Sequence, residues 1–240
     1  MVGLLLWKGA EGRRKAVTLR EEPVLQMRCL RAEILRGPRT PEAVLRRRFT
    51  AALKKMKKAG ITRVILPAGW SCDALPQGME IESTLPLRRA LAADWVRKEL
   101  EEKGLHPASA RVAVMASHLS GEVVRTVTEL TLRHRYVLLD VPHGGEELCR
   151  RLRREYGVAV QLGPDRGRLE EAEALVLFDP AENLPRNPVV LPLYDGNTPL
   201  PRLLLPPAWE DLLPQGADRT QLLAAMLRYG VIRPGAHLTF

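Results

Sequence analysis

The stretch that most constrains the fold is residues 111–142, which predict a strand, a helix and a second strand in immediate succession. Two apolar runs, 112–115 and 137–139, have the length of strands that are buried on both faces. Between them, Val123 and Val127 recur at helical spacing, whereas charged residues take the opposite side. The pattern predicts a right-handed βαβ unit of a parallel sheet, and ligands of such sheets bind beyond the carboxyl ends of the strands.

The rest of the chain repeats the alternation of helix and strand. Helices are predicted over 41–60, 85–103, 144–156 and 218–229, and strands over 62–66, 158–162, 175–178 and 189–193. This repetition favours one sheet with helices on both faces over a row of independent domains. We therefore predict a single α/β domain over residues 1–240, with a βα core over 38–198 and an irregular segment and closing helix over 199–240.

The N-terminal region, residues 1–37, predicts an antiparallel hairpin. Its first strand is Val2–Trp7, its turn is residues 8–12, and its return strand is residues 15–19. Residues 24–35 fit either a strand or a helix, and we favour a strand that becomes irregular near Gly37.

The turn after the first strand of the βαβ unit is where a dinucleotide-binding loop, GxGxxG, would lie. Residues 116–121 occupy that place, and Asp140 ends the second strand about 20 residues further on, where an acid would bind a ribose. Ala116 replaces the first glycine, and His118 replaces the second, where a missing side chain normally lets a pyrophosphate approach. The chain therefore resembles the Rossmann arrangement without its diagnostic loop, and the cofactor is left unknown. We expect a single Rossmann-like, doubly wound, mostly parallel sheet with an N-terminal antiparallel β-hairpin.

Polar residues at the expected carboxyl edge could still hold one phosphate or carboxylate, with the helix amino terminus contributing amide donors. The candidate ligand-binding residues are Ser117, His118, Ser120, Gly121, Asp140 and His143. Anion binding is disfavoured at the second glycine-rich turn, 142–145, because Glu146 and Glu147 follow it directly.

Metal binding and covalent catalysis have weaker support. Asp179 and Asp195 should also lie on this edge, but no HxH or HxxxH spacing accompanies them, so turn capping is favoured and no metal is predicted. Cys72 is a candidate reactive thiol with His118 or His143 as its base. No nucleophile motif surrounds it, which favours a packing role. The role of the long connection 67–86 is left open.

The net charge of +9 permits attraction to anionic partners. The predicted helix 41–60 carries an outward basic face that includes Lys54, Lys57 and Lys58, although a solvated face is the favoured interpretation. Aromatic residues make up only 5% of the chain, which disfavours specific nucleic-acid binding. The three cysteines lack CxxC spacing, no apolar run is long enough to span a membrane, and the start does not resemble a secretory signal. These features favour a cytoplasmic location.

Two functions remain open, and whether any catalysis occurs is not decided by the sequence. We favour a non-catalytic interaction or adaptor domain with a protein partner, because every chemical signature is incomplete. The alternative is an enzyme or binding protein that holds a phosphate- or carboxylate-bearing small molecule, such as a nucleotide, near residues 117–121. The sequence leaves the oligomeric state undetermined.

Overall fold

The computed structural model describes residues 1–9, 15–72, 74–196 and 198–240. The strands are β1 (Val2–Gly9), β2 (Val17–Val24), β3 (Met27–Arg36), β4 (Arg63–Ile65), β5 (Glu80–Ile81), β6 (Arg111–Met115), β7 (Tyr136–Asp140), β8 (Val160–Leu162), β9 (Ala174–Leu177) and β10 (Val189–Pro192). The helices are α1 (Glu42–Lys58), α2 (Leu85–Ala90), α3 (Ala92–Glu102), α4 (Gly121–Thr131), α5 (Gly145–Tyr156), α6 (Arg166–Glu170), α7 (Pro207–Glu210) and α8 (Arg219–Arg228).

The chain forms two compact units. The first comprises residues 1–84 and 205–238, and the second comprises residues 85–204 and 239–240. Each unit contains one five-stranded sheet. The predicted α/β class with parallel sheets and an antiparallel hairpin is confirmed, but the strands are divided between two sheets instead of sharing one. The strand predicted over 62–66 therefore lies in a different sheet from β6. The assignment of residues 1–240 to one domain stays a prediction.

The sheet of the first unit has the order β2-β3-β1-β4-β5. β1 lies at its centre and pairs in parallel with both β3 and β4, while β2 pairs antiparallel with β3. The hairpin therefore consists of β2 and β3, so the predicted antiparallel pairing of Val2–Trp7 with residues 15–19 is wrong. The predicted turn over residues 8–12 lies partly outside the described residues.

The position of β1 follows from its composition. Val2, Leu4, Leu5 and Leu6 are all buried, so both faces of the strand are covered, as expected for a central parallel strand. β2, by contrast, is largely exposed along its length, which suits a strand at the end of the sheet.

The sheet of the second unit has the order β10-β9-β6-β7-β8, and all of its strand pairs are parallel. This is the arrangement that the βαβ pattern predicted for the apolar segments near residues 113, 138, 159 and 176. Val112 and Val114 face the core that includes buried residues of α3, α4 and α5, whereas Ala113 faces a smaller core with Leu169 of α6. The two faces of the sheet are thus covered unequally.

No helix in the described part of the chain has the length and apolar character to cross a membrane.

His134, three residues beyond the end of α4, is a buried histidine of the second unit. Its side chain is buried, and its Nδ1 lies 2.7 Å from the carbonyl oxygen of Pro107, so Nδ1 carries the proton and donates. Nε2 is buried without a partner among the described residues. Burial is the main reason why the pKa of His134 lies below its ordinary value of 6.5.

We expect the free energy of unfolding to fall as the pH drops below about 6.5, because the unfolded state then takes up a proton that the folded state resists. The contribution of neutral His134 to stability is fully present above the pKa that His134 has in the unfolded chain. It is lost as the pH falls toward the pKa that His134 has in the folded protein. Urea denaturation between about pH 5 and about pH 7.5 measures it. His134→Asn should flatten the dependence, whereas His106→Asn, at an exposed position, should leave it unchanged. Equal slopes for His134→Asn and the parent protein would contradict the assignment.

Candidate functional site

The candidate site lies at the carboxyl edge of the sheet in the second unit. The chain runs from β6 outward to β7 and β8, then returns to β9 and β10 on the other side of β6. The connections after β6 and β9 therefore leave the sheet in opposite directions. Such a switch point is where parallel sheets of this type form a ligand crevice.

The carboxylate of Asp179, which follows β9, accepts two hydrogen bonds from Ser117, which lies in the loop after β6. The backbone amide of Ser117 donates to Oδ2 of Asp179 at 2.8 Å, and the Ser117 hydroxyl donates to the same oxygen at 2.7 Å. The hydrogen bond from the amide is the main reason why the pKa of Asp179 lies below its usual range. The edge therefore carries a fixed negative charge at the loop that replaces GxGxxG.

His118 lies next to this pair, with Nδ1 at 3.1 Å from the Ser117 hydroxyl oxygen. Because that hydroxyl gives its proton to Asp179, Nδ1 must be the donor toward it. A histidine that activates a serine accepts the hydroxyl proton instead. The described arrangement is therefore the reverse of a serine–base pair.

Side chains cap and contact the first turn of α4 through hydrogen bonds. The Ser120 hydroxyl oxygen accepts from the backbone amide of Val123 at 3.3 Å, so Ser120 is the helix N-cap, and Gly121 begins the helix. In the first turn, Glu122 accepts from the Arg89 guanidinium at 2.6 Å. Arg89 also donates to the carbonyl oxygen of Leu193. Arg89, which contacts the first turn of α4, is thus held by protein groups.

A cavity of about 220 Å³ lies at this edge. Ser117, Asp140 and Asp179 contribute its polar lining, and Met115 and Pro142 contribute apolar surface. Two carboxylates in so small a space favour hydroxyl groups or positive charge over a phosphate. His143 does not line this cavity; its side chain is exposed in the turn before α5.

The candidate reactive thiol and the possibility of a metal site concern other residues. Cys72 belongs to the first unit, where its thiol donates to the carbonyl oxygen of Ala74 at 3.3 Å. It packs against the apolar core of that unit and lines a cavity of about 270 Å³ with Phe49 and Trp70. In the described part of the chain, no three His, Cys, Asp or Glu side chains are grouped to hold a metal ion.

Sequence reasoning placed Asp179 on the edge but missed its bond to Ser117, and it missed the Arg89–Glu122 pair. Ser117 and Asp179 are 62 positions apart, so no local spacing could reveal the contact. The only available signal was that both residues follow apolar strands that a parallel sheet brings to one edge.

No protein-family model and no curated protein matches the sequence. Among solved structures, shikimate 5-dehydrogenase from Listeria monocytogenes, in complex with shikimate and NAD, is 7% identical with a TM-score of 0.28, and the match covers 61% of this chain and 58% of that one. L-tryptophan dehydrogenase from Nostoc punctiforme is 15% identical with a TM-score of 0.30, and coverage is 62% and 44%. D-lactate dehydrogenase with NAD+ from Lactobacillus jensenii is 12% identical with a TM-score of 0.27, and coverage is 55% and 46%. The chain thus spans between 44% and 58% of the length of these structures.

Proposed function

We propose that the protein is a non-catalytic interaction protein built on a Rossmann-like sheet. The observation that carries this proposal is the pair of hydrogen bonds from Ser117 to the Asp179 carboxylate. A bound pyrophosphate needs free amide donors at the loop after the first strand and at the following helix terminus. Here the amide of Ser117 is taken by an internal anion, which would also repel a phosphate.

The direction of the hydrogen bond between His118 and Ser117 supports the same proposal. A nucleophilic serine needs a base that removes its proton, whereas the Ser117 proton points to a carboxylate of lowered pKa. Cys72 has its thiol hydrogen bonded to a backbone carbonyl, which does not promote thiolate formation. Among the contacts described, neither Ser117 nor Cys72 has the partner that a nucleophile requires.

The experiment is isothermal titration of the intact protein with NAD+, NADP+, ATP and inorganic phosphate, each to about 1 mM. We expect no saturable heat. Asp179→Asn keeps an acceptor for Ser117 but removes the negative charge, so this variant is expected to bind phosphate more tightly than the parent protein. A saturable isotherm from the parent protein would contradict the proposal, and phosphate binding that is unchanged in the variant would show that the Asp179 charge is not the reason.

The alternative function is that of a small-molecule enzyme or binding protein with its ligand at the same edge. The cavity beside Ser117 and Asp140 supports it. A phosphate- or carboxylate-bearing ligand would meet the carboxylates of Asp140 and Asp179 there, which is why we place this function second. The titration above discriminates between the two functions.

A further inference from the structure

The second unit carries a groove beside α5 that the edge site does not include. Its volume is about 490 Å³. The apolar part of its lining comes from Leu119, Val124 and Leu148, and its charged part comes from Glu147, Arg150, Arg151 and Arg154. All of these residues belong to one compact unit and lie in or next to α4 and α5.

Two of the three arginines of this groove make no ion pair among the described residues, and the third makes only a long one. Arg97 pairs with Glu101, and Arg166 pairs with Glu170, each one helical turn away. Arg150 and Arg151 are exposed and make no ion pair within the described ranges. Arg154 has only its neighbour Glu155, at 4.0 Å. Three guanidinium groups therefore face the groove with one glutamate, Glu147, to balance them.

The spacing of α5 places these charges along one side of the helix. Glu147, Arg151 and Arg154 follow each other at intervals of four and three residues, which is one stripe of a helix surface, and Arg150 lies beside it. Leu152 is buried in the core, and Leu148, which is also buried, contributes to the floor of the groove. The arginine stripe thus borders the groove over about two helical turns.

The floor of the groove is apolar and partly open. Leu148 is buried, whereas Leu119 and Val124 are half-buried. At one end, Gly144 has a φ of +81°, and a Cβ there would come within 3.2 Å of the Leu119 side chain. A side chain at Gly144 would therefore crowd Leu119.

We propose that this groove binds an acidic segment of a partner protein. Apolar side chains of the segment would pack on Leu119 and Val124, and its carboxylates would meet Arg150, Arg151 and Arg154. Arginine is suited to such contacts because its planar guanidinium binds carboxylates through two parallel hydrogen bonds. This inference rests on the proposed interaction function and names the chemistry of the partner.

The groove lining favours a protein segment over the other polyanions. Single-stranded nucleic acids are bound through aromatic side chains that stack on bases, and the described lining of this groove contains none. A duplex or a lipid surface presents phosphates without apolar side chains that could enter a groove between two helices. In a segment that alternates carboxylates with leucines, the leucines complement the apolar floor of the groove. Its carboxylates complement the arginine stripe that borders the groove.

The test measures fluorescence anisotropy of the full chain with a labelled synthetic peptide of alternating glutamate and leucine blocks. Its companion probes are the same peptide with serine in place of leucine, a DNA duplex, a single-stranded RNA and phosphatidylserine vesicles. We expect saturable binding of the leucine peptide, at least about tenfold tighter than binding of the serine peptide. The charge reversal R150E/R151E/R154E should reduce peptide affinity by at least about tenfold.

The matched control is the reversal K54E/K57E/K58E, which changes the same number of exposed positive charges on α1. It should leave peptide binding within about twofold. If the α5 variant fails to fold by circular dichroism, the neutral variant R150Q/R151Q replaces it and should also weaken binding. The floor is tested separately with Val124→Asp, which places a carboxylate beneath the acidic peptide and should weaken binding.

Several results would overturn the inference. They are equal binding of the leucine and serine peptides, equal sensitivity to the α1 and α5 reversals, and tighter binding of nucleic acid or vesicles than of the leucine peptide. Absence of peptide binding together with absence of nucleotide heat overturns the groove assignment alone. Nucleotide binding that persists beside peptide binding overturns the non-catalytic proposal alone.

Discussion

Replacing Arg228 with methionine is expected to lower the free energy of unfolding by about 3 kcal/mol. Arg228 in α8 forms a hydrogen-bonded ion pair with Glu82, whose side chain is only 2% exposed. Methionine keeps much of the apolar stem but removes the charge that compensates the buried carboxylate. Chemical denaturation at neutral pH measures the loss.

The loss should depend on pH in a defined direction. Burial is the main reason why the pKa of Glu82 lies above its ordinary value of 4.5, although Arg228 and Arg63 oppose the increase. Without Arg228 that pKa rises further. The contribution of Glu82 to the stability of the variant is then fully present below the pKa that Glu82 has in the unfolded chain. It is lost as the pH rises through the pKa that Glu82 has in the folded protein. Arg228→Met should therefore cost less stability near pH 4 than near pH 7.

The double variant Glu82→Leu/Arg228→Met is the control, because it removes the buried charge together with its partner. It should recover a large part of the stability lost by the single variant. An equal loss at both pH values, or a double variant that is less stable than Arg228→Met, would argue against a buried charge as the cause.

The Trp95→Ala variant is expected to lose about 3–5 kcal/mol of stability. Trp95 lies in α3, is 1% exposed, and is one of the largest side chains in the core of the second unit. Its Nε1 donates to Glu99 at 3.0 Å, and the Arg88 guanidinium carbon lies 5.9 Å from the ring centroid. Alanine would leave a cavity and remove both contacts.

Urea denaturation followed by far-ultraviolet circular dichroism measures this loss. Trp95→Phe retains most of the apolar volume and should be clearly less destabilising than alanine. Leu132→Ala, at a position that is 57% exposed, should change stability by less than about 0.5 kcal/mol. If Trp95→Ala were no more destabilising than Leu132→Ala, the described core packing of α3 would be incorrect.

Together these variants test whether residues 1–240 unfold as one domain. Glu82 and Arg228 belong to the first unit, and Trp95 belongs to the second. One cooperative transition that shifts with either substitution would support the single-domain prediction. Two transitions, each sensitive to only one of the substitutions, would contradict it.

The sequence was most informative where strand and helix signals were local. The apolar runs of β6 and β7, with the one-sided helix α4 between them, predicted a βαβ unit that the structure contains. β1 has the same continuous burial, and that pattern could have identified it as a central parallel strand. We paired it with residues 15–19 because proximity in the chain suggested a hairpin.

Membership of a sheet could not be read from the same signals. Hydrophobic periodicity shows which face of a strand is covered, but it does not show which other strands lie beside it. For this reason β4 was expected in the same sheet as β6, β7, β8 and β9. β5 has only two residues, Glu80 and Ile81, and is too short to give a periodic pattern. It lies within the connection 67–86, which the sequence left without a role.

The candidate site was predicted as a location and not as a set of contacts. The strand ends identified the edge that carries Ser117, Asp140 and Asp179. The hydrogen bonds among Ser117, His118 and Asp179 depend on side-chain directions in two loops, which residue spacing does not encode. Those directions decide whether the edge offers amide donors or a carboxylate to a ligand.

The terminal position of β2 in its sheet has a consequence for self-association. A terminal strand presents unpaired backbone groups onto which a strand from another molecule could add. β2 carries Arg20, Glu21 and Glu22 in succession, followed by Pro23, which has no amide hydrogen to donate. A strand added to this edge would receive no amide donor from Pro23 and would lie beside those charged side chains, so we expect this edge to resist addition of a strand from another molecule.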